Sequence, residues 1–262
     1  MDEIFLAADG IPSSCQSPED ELVTRLAEVP NVQYQSSCLF NRSRGISTAD
    51  VENLLHSARS LDYRIRDWTR TLDATWSYKA ALCLDAETRS KYTPRHIHRY
   101  HDFYTARVWN VYRVSRLIVQ SIIIRAASWL STSTPHSSVY DEEKTEQNSV
   151  KLVNDICASV SFLMGDDLSR LKLPATGGGG NQAGTSWNRS KGSGQPHSGR
   201  YSLIWPLYVA CGSDLVPEPQ RDWMQMQLRC LAELGEAQAH FACHNRSRLL
   251  SGRRDDIQFD CV

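Results

Sequence analysis

A long, mostly apolar stretch, residues 102–130 (DFYTARVWNVYRVSRLIVQSIIIRAASWL), stands out in the pattern of hydrophobic and polar positions. Its four arginines, at positions 107, 113, 116 and 125, leave no uncharged gap between them longer than residues 117–124. A membrane span needs roughly 20 apolar residues, so this stretch cannot be one. Its apolar positions spread almost all the way round a helix, which predicts a helix enclosed by others. We therefore expect a long central buried helix.

Helical patterns in the first half of the chain begin at recognisable start signals. Ser17 and Pro18 are an N-cap and a first helical residue for a short helix, and we expect Pro30 to end it. Ser47 and Asp50 resemble a capping box ahead of an amphipathic helix of about six turns. The predicted apolar face of that helix comprises Val51, Leu54, Leu55, Ala58, Leu61, Ile65, Trp68 and Leu72.

Three more helical patterns occupy the second half of the chain. A charged segment expected to be flexible, residues 141–146, precedes a helix that Gly165 ends. Residues 201–211 (YSLIWPLYVAC) predict a buried helix kinked at its internal proline. A last pattern, over residues 221–243, is weakened in its middle by Gly235. The predicted inward face of the first of these helices comprises Val150, Val153, Ile156, Cys157, Val160 and Leu163.

These patterns predict an all-α fold, a multi-helix single domain around the long central helix. With 262 residues, 41% of them hydrophobic, the chain can bury a sizeable core. We divide it into an N-terminal extension with one short helix (1–46), a helical domain (47–250) and a C-terminal tail (251–262). Within the domain, residues 174–199 are rich in Gly, Ser, Asn and Gln and are expected to form a disordered loop.

Charge and cysteine usage narrow the classes of function. The formal net charge of −1 gives no global positive field toward nucleic acid or an anionic membrane. None of the eight cysteines has the two-residue spacing of zinc ligands. The N-terminus lacks a basic region followed by a long apolar run, so we expect a chain that is not secreted and keeps its thiols reduced.

Two local patterns suggest specific chemistry, and a simpler interpretation is preferred for each. His96, His98 and His101 could in principle bind zinc, but their spacing favours solvated loop and helix-cap histidines. Residues 179–186 (GGNQAGTS) have the two glycines of a phosphate-binding loop, yet Thr185 stands where its lysine belongs. The catalytic motifs Gly-x-Ser-x-Gly and His-Glu-x-x-His are also missing from the sequence. We therefore expect no metal, no cofactor, no catalytic residue and no enzymatic activity.

A polar and aromatic group on the central helix is the strongest candidate for a site. Buried arginine is costly without a partner, so an acid such as Asp102, Asp155 or Glu233 should approach it. The favoured interpretation is an internal network that fixes helix packing, and the alternative is a pocket for an anionic effector. The candidate residues are Trp109, Asn110, Tyr112, Arg113, Arg116 and Trp205.

Five phrases in order along the chain resemble a known family: LDYRIRDWTRTLDATWSY, ARVWNVYRVSRLIV, DICASVSFLMG, SLIWPLYVACGSD and LGEAQAHFA. Together, over about residues 50–245, they resemble the fungal-specific transcription factor domain. This domain is the helical C-terminal region of zinc-binuclear-cluster regulators. The resemblance implies an all-helical regulatory region in the nucleus that contacts proteins of the transcription machinery.

The chain departs from that family at its N-terminus. Family members carry a cluster of six cysteines that binds two zinc ions and enters the major groove. Only Cys15 and Cys38 precede residue 80 here, so the zinc cluster is absent. We expect no direct sequence-specific DNA binding from this chain alone. The chain is then either a truncated gene product or a free-standing regulatory domain.

The leading hypothesis is a non-catalytic, transcription regulator-like protein that acts through protein contacts or senses a small-molecule effector. The alternatives are a small-molecule-binding protein or orphan enzyme with a pocket along the central helix, and a truncated gene model. If the resemblance does not hold, we expect a cytoplasmic protein without a membrane segment.

Overall fold

The computed structural model describes residues 17–41, 45–82, 92–133, 142–166, 168, 196–245, 247 and 249–250, so the predicted C-terminal tail, 251–262, lies outside it. Within these ranges the fold is all-α, as predicted, with eight α-helices and one antiparallel pair of strands. The helices are α1 (Pro18–Leu26), α2 (Val29–Phe40), α3 (Thr48–Asp67), α4 (Phe103–Ser133), α5 (Glu142–Met164), α6 (Pro196–Cys211), α7 (Glu218–Glu233) and α8 (Ala237–His244). The strands are β1 (Lys79–Leu82) and β2 (His96–Arg99).

Helix α4 is the predicted central helix. Residues 116–120 are buried without a break, and so are 122–124, which places buried side chains in every direction around its axis. It packs against α2, α3, α5 and α6, with a smaller contact to α1. None of the helices in the described part combines the length and hydrophobicity needed to cross a bilayer. The arrangement confirms a long buried helix at the centre of the described fold.

The N-terminal region contains two helices where one was predicted. Ser17 caps α1 reciprocally with Asp20, as its sequence indicates. The prediction that Pro30 ends this helix is wrong, because α1 ends at Leu26 and Pro30 lies in the first turn of α2. A proline is compatible with that position because the first helical N–H groups have no partner in the helix. Both helices contribute side chains to the common core, among them Leu22, Val29, Val32, Leu39 and Phe40.

Helix α3 follows its predicted pattern over residues 51–65 and departs from it at both ends, because Leu72, assigned to its apolar face, lies beyond it. Ser47 is the N-cap residue, but its side chain makes no capping hydrogen bond, so the predicted capping box does not form. At the other end a 3-10 turn, Trp68–Arg70, continues the helix. The Trp68 ring is fully buried, and its Nε1 donates to the Pro18 carbonyl oxygen (2.8 Å). This bond ties the start of α1 to the end of α3.

The β1/β2 hairpin was not predicted. Its strands are antiparallel, with Lys79 opposite Arg99 and Ala81 opposite Ile97. Its second strand packs on α5. Burial alternates from Ile97 through His98 and Arg99 to Tyr100, which is the two-residue period of a strand. The buried members of this alternation are polar or amphipathic, so the hydrophobic pattern did not reveal it.

Helix α5 begins earlier than expected. Residues 142–146, predicted to be flexible, form its first turns. Val150, assigned to the inward face, is exposed, whereas the other five predicted positions are buried. Gly165 ends the helix as predicted, with a positive φ of 81°. The Asp166 N–H donates to the Ser161 carbonyl oxygen (3.0 Å), the bond typical of a glycine-terminated helix.

Two further predictions differ from the structure in the C-terminal helices. Helix α6 begins at Pro196, inside the segment 174–199 expected to be a disordered loop, and residues 174–195 lie outside the described part. Pro206 lies within α6, as predicted. Gly235, with a φ of 96°, separates α7 from α8 and so ends a helix, whereas we expected it to weaken a continuous one.

We expect Trp68→Ala to lower the free energy of unfolding by about 3 to 5 kcal/mol, because it removes a fully buried ring and its bond to α1. Urea unfolding followed by circular dichroism measures the change. Trp205→Ala is the matched control, since that ring is 50% exposed and its loss should cost less than about 1 kcal/mol. Equal losses in the two variants would contradict the assigned core.

Candidate functional site

A buried polar and aromatic network lies where α4 meets the hairpin, α3 and α5. Five of the six predicted site residues belong to it and are buried on α4. The sixth, Trp205, lies apart on α6, where the centroid of its half-exposed ring is 6.2 Å from that of the Tyr208 ring. The five residues that the structure brings together are Trp109, Asn110, Tyr112, Arg113 and Arg116.

Arg113 is the centre of this network. Its guanidinium donates to the Tyr100 hydroxyl oxygen (2.7 Å) and to Asn110 Oδ1 (2.8 Å). Its second terminal nitrogen lies 3.4 Å from Nδ1 of His98. Asn110 in turn donates through Nδ2 to the Ser159 hydroxyl on α5 (2.9 Å). Arg113 of α4 is thereby bonded to the hairpin region through Tyr100 and to α5 through Asn110.

Aromatic rings surround the same guanidinium. The Arg113 Cζ lies 5.1 Å from the centroid of Tyr78, 5.5 Å from Trp109 and 5.7 Å from Tyr100. The negative faces of aromatic rings attract a cation, and more strongly where water is excluded. The Trp109 ring is itself fixed by donating through Nε1 to the Trp76 carbonyl oxygen (2.8 Å). Rings and neutral oxygens thus stabilise a positive charge that is fully enclosed.

His98 is buried in this network, so the expectation of a solvated histidine at this position is wrong. Burial, together with the nearby charge of Arg113, lowers the pKa of His98 to about 2, even though an Asp155 carboxylate oxygen lies 3.8 Å from Nε2. A neutral imidazole can accept at Nδ1, which lies 3.1 Å from the Tyr100 hydroxyl. Burial also raises the pKa of Tyr100, whose hydroxyl can therefore donate to His98 while it accepts from Arg113.

Arg116 has a carboxylate partner on another helix. Its Nε and Nη2 donate to the two carboxylate oxygens of Asp62 on α3 (2.8 and 2.9 Å), which is the strong bidentate geometry. Its Nη1 donates to the Tyr112 hydroxyl (3.1 Å). The Nε2 of Gln120 lies 3.5 Å from the same carboxylate. The Oε1 of Gln120 accepts a hydrogen bond from the Ser149 hydroxyl on α5 (2.9 Å). This second cluster joins α3, α4 and α5.

Two of the three acids proposed as partners for the arginines, Asp102 and Glu233, lie elsewhere, whereas the charge of Asp155 acts on Arg113. Asp62, the partner of Arg116, was not among them, although it falls one helical turn after the buried Ala58. Asp102 accepts from a backbone N–H in the first turn of α4, and Glu233 is exposed at the end of α7. Asp155 lies near the network, beside His98. The one sequence signal that pointed to Asp62 was its place among the apolar positions of α3, four residues after Ala58.

The three histidines considered as zinc ligands do not share one environment. His96 and His101 are exposed, unlike His98. No group of three or more His, Cys, Asp or Glu among the described residues is placed to hold a metal ion. The glycine-rich residues 179–186 lie outside the described ranges.

Two cavities border these elements. One, of about 40 Å³, lies along α4 beside Leu117, Ser121 and Ile124. It has room for one or two water molecules, whereas small-molecule sites occupy roughly 300 to 1,000 Å³. The other, of about 400 Å³, lies beside the hairpin and reaches Tyr100. The cavity along α4 is therefore too small for an effector, and the cavity beside the hairpin is the larger of the two.

Comparison with known proteins gives one informative similarity. The chain is 29% identical over 143 residues to transcription factor dbaG of Emericella nidulans. The matched region covers 55% of this chain and 30% of that protein. The chain is therefore transcription-factor-like over about half its length. No protein-family model matches it, and no solved structure matches it.

Removing the Asp62 carboxylate tests the second cluster. Asp62→Ala should lower the free energy of unfolding by about 3 kcal/mol, because the Arg116 side chain is only 9% exposed and loses its ion partner. Asp67→Ala on the same helix is the control: its carboxylate is 38% exposed and its loss should cost about 1 kcal/mol or less. Chemical denaturation measures both. Adding Arg116→Met to Asp62→Ala should recover stability, and no recovery would contradict the assigned pair.

The pKa of His98 predicts an acid-sensitive stability. In the unfolded chain its pKa returns to about 6.5, so between that value and the folded pKa of about 2 the unfolded state binds more protons. Stability therefore falls as the pH drops below about 6.5. From pH 7 to pH 5 the contribution of His98 to this loss should be about 2 kcal/mol.

Denaturation of the wild type and of His98→Gln at both pH values measures this contribution. The variant should lose about 2 kcal/mol less than the wild type between pH 7 and pH 5. The exposed His56 on α3 supplies the control, because His56→Gln should keep the wild-type loss. Identical losses in the wild type and His98→Gln would show that His98 does not titrate as assigned.

Proposed function

We propose that this chain is the helical regulatory region of a fungal transcription regulator and acts in the nucleus through contacts with proteins of the transcription machinery. The observation that carries the proposal is the similarity over 143 residues to a protein named as a transcription factor. The region is non-catalytic, lacks a zinc cluster of its own and does not read DNA sequence. Its specific relationship is to the fungal-specific transcription factor domain, whose motifs its sequence resembles.

The geometry of the network supports a structural role for the candidate residues. Arg113 donates to Tyr100 beside the hairpin and Arg116 donates to Asp62 on α3, and with the Asn110 bond to α5 these contacts join three elements to α4. Polar groups used in this way fix one arrangement of helices, a function well suited to a domain that must present a defined surface. The exposed aromatic ring of Trp205, remote from the network, is one feature of such a surface.

Fusion to a heterologous DNA-binding domain tests the regulatory role. We expect the fusion to change expression of a reporter carrying the matching operator, relative to the DNA-binding domain alone. The Trp68→Ala fusion should weaken the effect, because the substitution destabilises the region without changing an exposed side chain. A wild-type fusion that is present at equal amount and leaves the reporter unchanged would contradict the proposal.

A gel-shift measurement with the purified chain tests the proposal that it does not read DNA sequence. We expect no sequence-specific retardation over a pool of random duplexes at physiological salt, where only weak non-specific binding should remain. Selection of one enriched sequence from that pool would contradict the absence of DNA reading.

A further inference from the structure

Helix α8 carries two histidines on its exposed side. His240 and His244 are four residues apart, so they are neighbours on successive turns of the helix. Both are exposed, and the centroids of their rings are only 4.8 Å apart. The other side of the helix is attached to the core by the buried Ala239 and Ala242. The two imidazoles therefore face solvent together, on a helix whose position is set by packing.

A hydrogen bond determines which nitrogen of His244 is free. Its Nδ1 lies 2.8 Å from the carbonyl oxygen of His240. A carbonyl oxygen only accepts, so Nδ1 carries the proton and donates it, and in the neutral ring Nε2 has the free lone pair. Metal-binding histidines commonly donate their other ring nitrogen to a backbone carbonyl in this way, which fixes the tautomer and the ring orientation. His244 thus has the hydrogen bonding of a metal ligand.

The separation of the two rings suits ligation of one ion. Two nitrogens bound to a tetrahedral ion at about 2.0 to 2.1 Å lie roughly 3.4 Å apart. Rings whose centroids are 4.8 Å apart can bring one nitrogen each to that separation by rotation about side-chain bonds, with the helix backbone unchanged. Two histidines four residues apart on a helix also bind zinc in the motif His-Glu-x-x-His. Here Phe241 stands where that motif has its glutamate base, so the pair retains the ligands without the protease chemistry.

The charges around the pair favour a cation. His244 is the last residue of α8, where the carbonyl groups of the final turn carry partial negative charge. Glu236, the N-cap residue one turn before His240, adds a carboxylate to the same short helix. In the part of the chain that the structure describes, no group of three or more possible ligands is placed to hold a metal. The site would therefore have two protein ligands and leave its other positions to water.

We propose that His240 and His244 chelate a divalent transition metal ion of the class that imidazole prefers, such as Zn²⁺ or Ni²⁺. Mg²⁺ and Ca²⁺ prefer oxygen ligands and are not expected here. The pair belongs to α8, which packs on α6 and α7, and it shares no residue with the network around Arg113. The proposal goes beyond the proposed function and does not rest on it.

Isothermal titration calorimetry of the whole chain tests the binding, with Zn²⁺ and Ni²⁺ as separate probes and with the thiols kept reduced by a phosphine. We expect each ion to bind the wild type at one saturable site, and Mg²⁺ not to bind. His240→Gln and His244→Gln should each weaken the binding by about tenfold or more, because each removes one of two ligands. Both side chains are exposed, so the variants should remain folded.

A spacing variant separates chelation from the mere number of histidines. His244→Gln/Asn245→His keeps two histidines on the helix but moves one by a single position, about 100° round the axis. It should bind as weakly as His244→Gln. Two further variants should keep the wild-type affinity within about twofold: Cys243→Ser, which tests the neighbouring thiol, and His56→Gln, which removes an exposed histidine of α3.

Thermal unfolding gives a second measurement of the same site. Zn²⁺ should raise the melting temperature of the wild type and not that of His244→Gln, because the two rings can share an ion only while α8 is helical. The absence of saturable binding of both ions to the wild type overturns the proposal. So does an affinity that is equal in the wild type, the two single histidine variants and the spacing variant.

Discussion

Enclosing the charge of Arg113 is the constraint on which the described fold depends. A guanidinium removed from water costs several kcal/mol unless its surroundings replace the lost hydration. Here the replacement comes from the oxygens of Tyr100 and Asn110 and from three aromatic faces, one of them on Trp109. These groups come from α4 and from the hairpin region, which must therefore be in place together. The charge is stabilised only in the complete arrangement.

Arg116 applies the same logic with a different partner. Its bidentate pair with Asp62 lies between α3 and α4, and Gln120 extends the cluster to α5 through Ser149. Arg113 and Arg116 are three residues apart on one helix, and each fixes a different neighbour. Apolar burial is not directional, whereas the hydrogen bonds of two arginines are, and they specify one register of α4 against its neighbours.

The central helix was predictable because its apolar positions and its arginines are both local features of one segment. Its partners were not, because Asp62 and Arg116 are separated by 54 residues and only the fold brings them together. The hairpin was missed for a different reason: residues 97–100 alternate in burial without alternating in hydrophobicity. Pro30 was misassigned because proline is compatible both with the end of one helix and with the start of the next.

The protonation states of the network favour a structural over a catalytic role. A group that transfers protons near neutrality works best with a pKa close to the ambient pH. Burial moves the two titratable groups beside Arg113 away from that value, with the pKa of His98 lowered to about 2 and that of Tyr100 raised above its usual range. Both therefore keep one protonation state across the neutral range, His98 as an acceptor and Tyr100 as a hydroxyl. Fixed states give fixed hydrogen bonds, which hold α4 in one position against the hairpin.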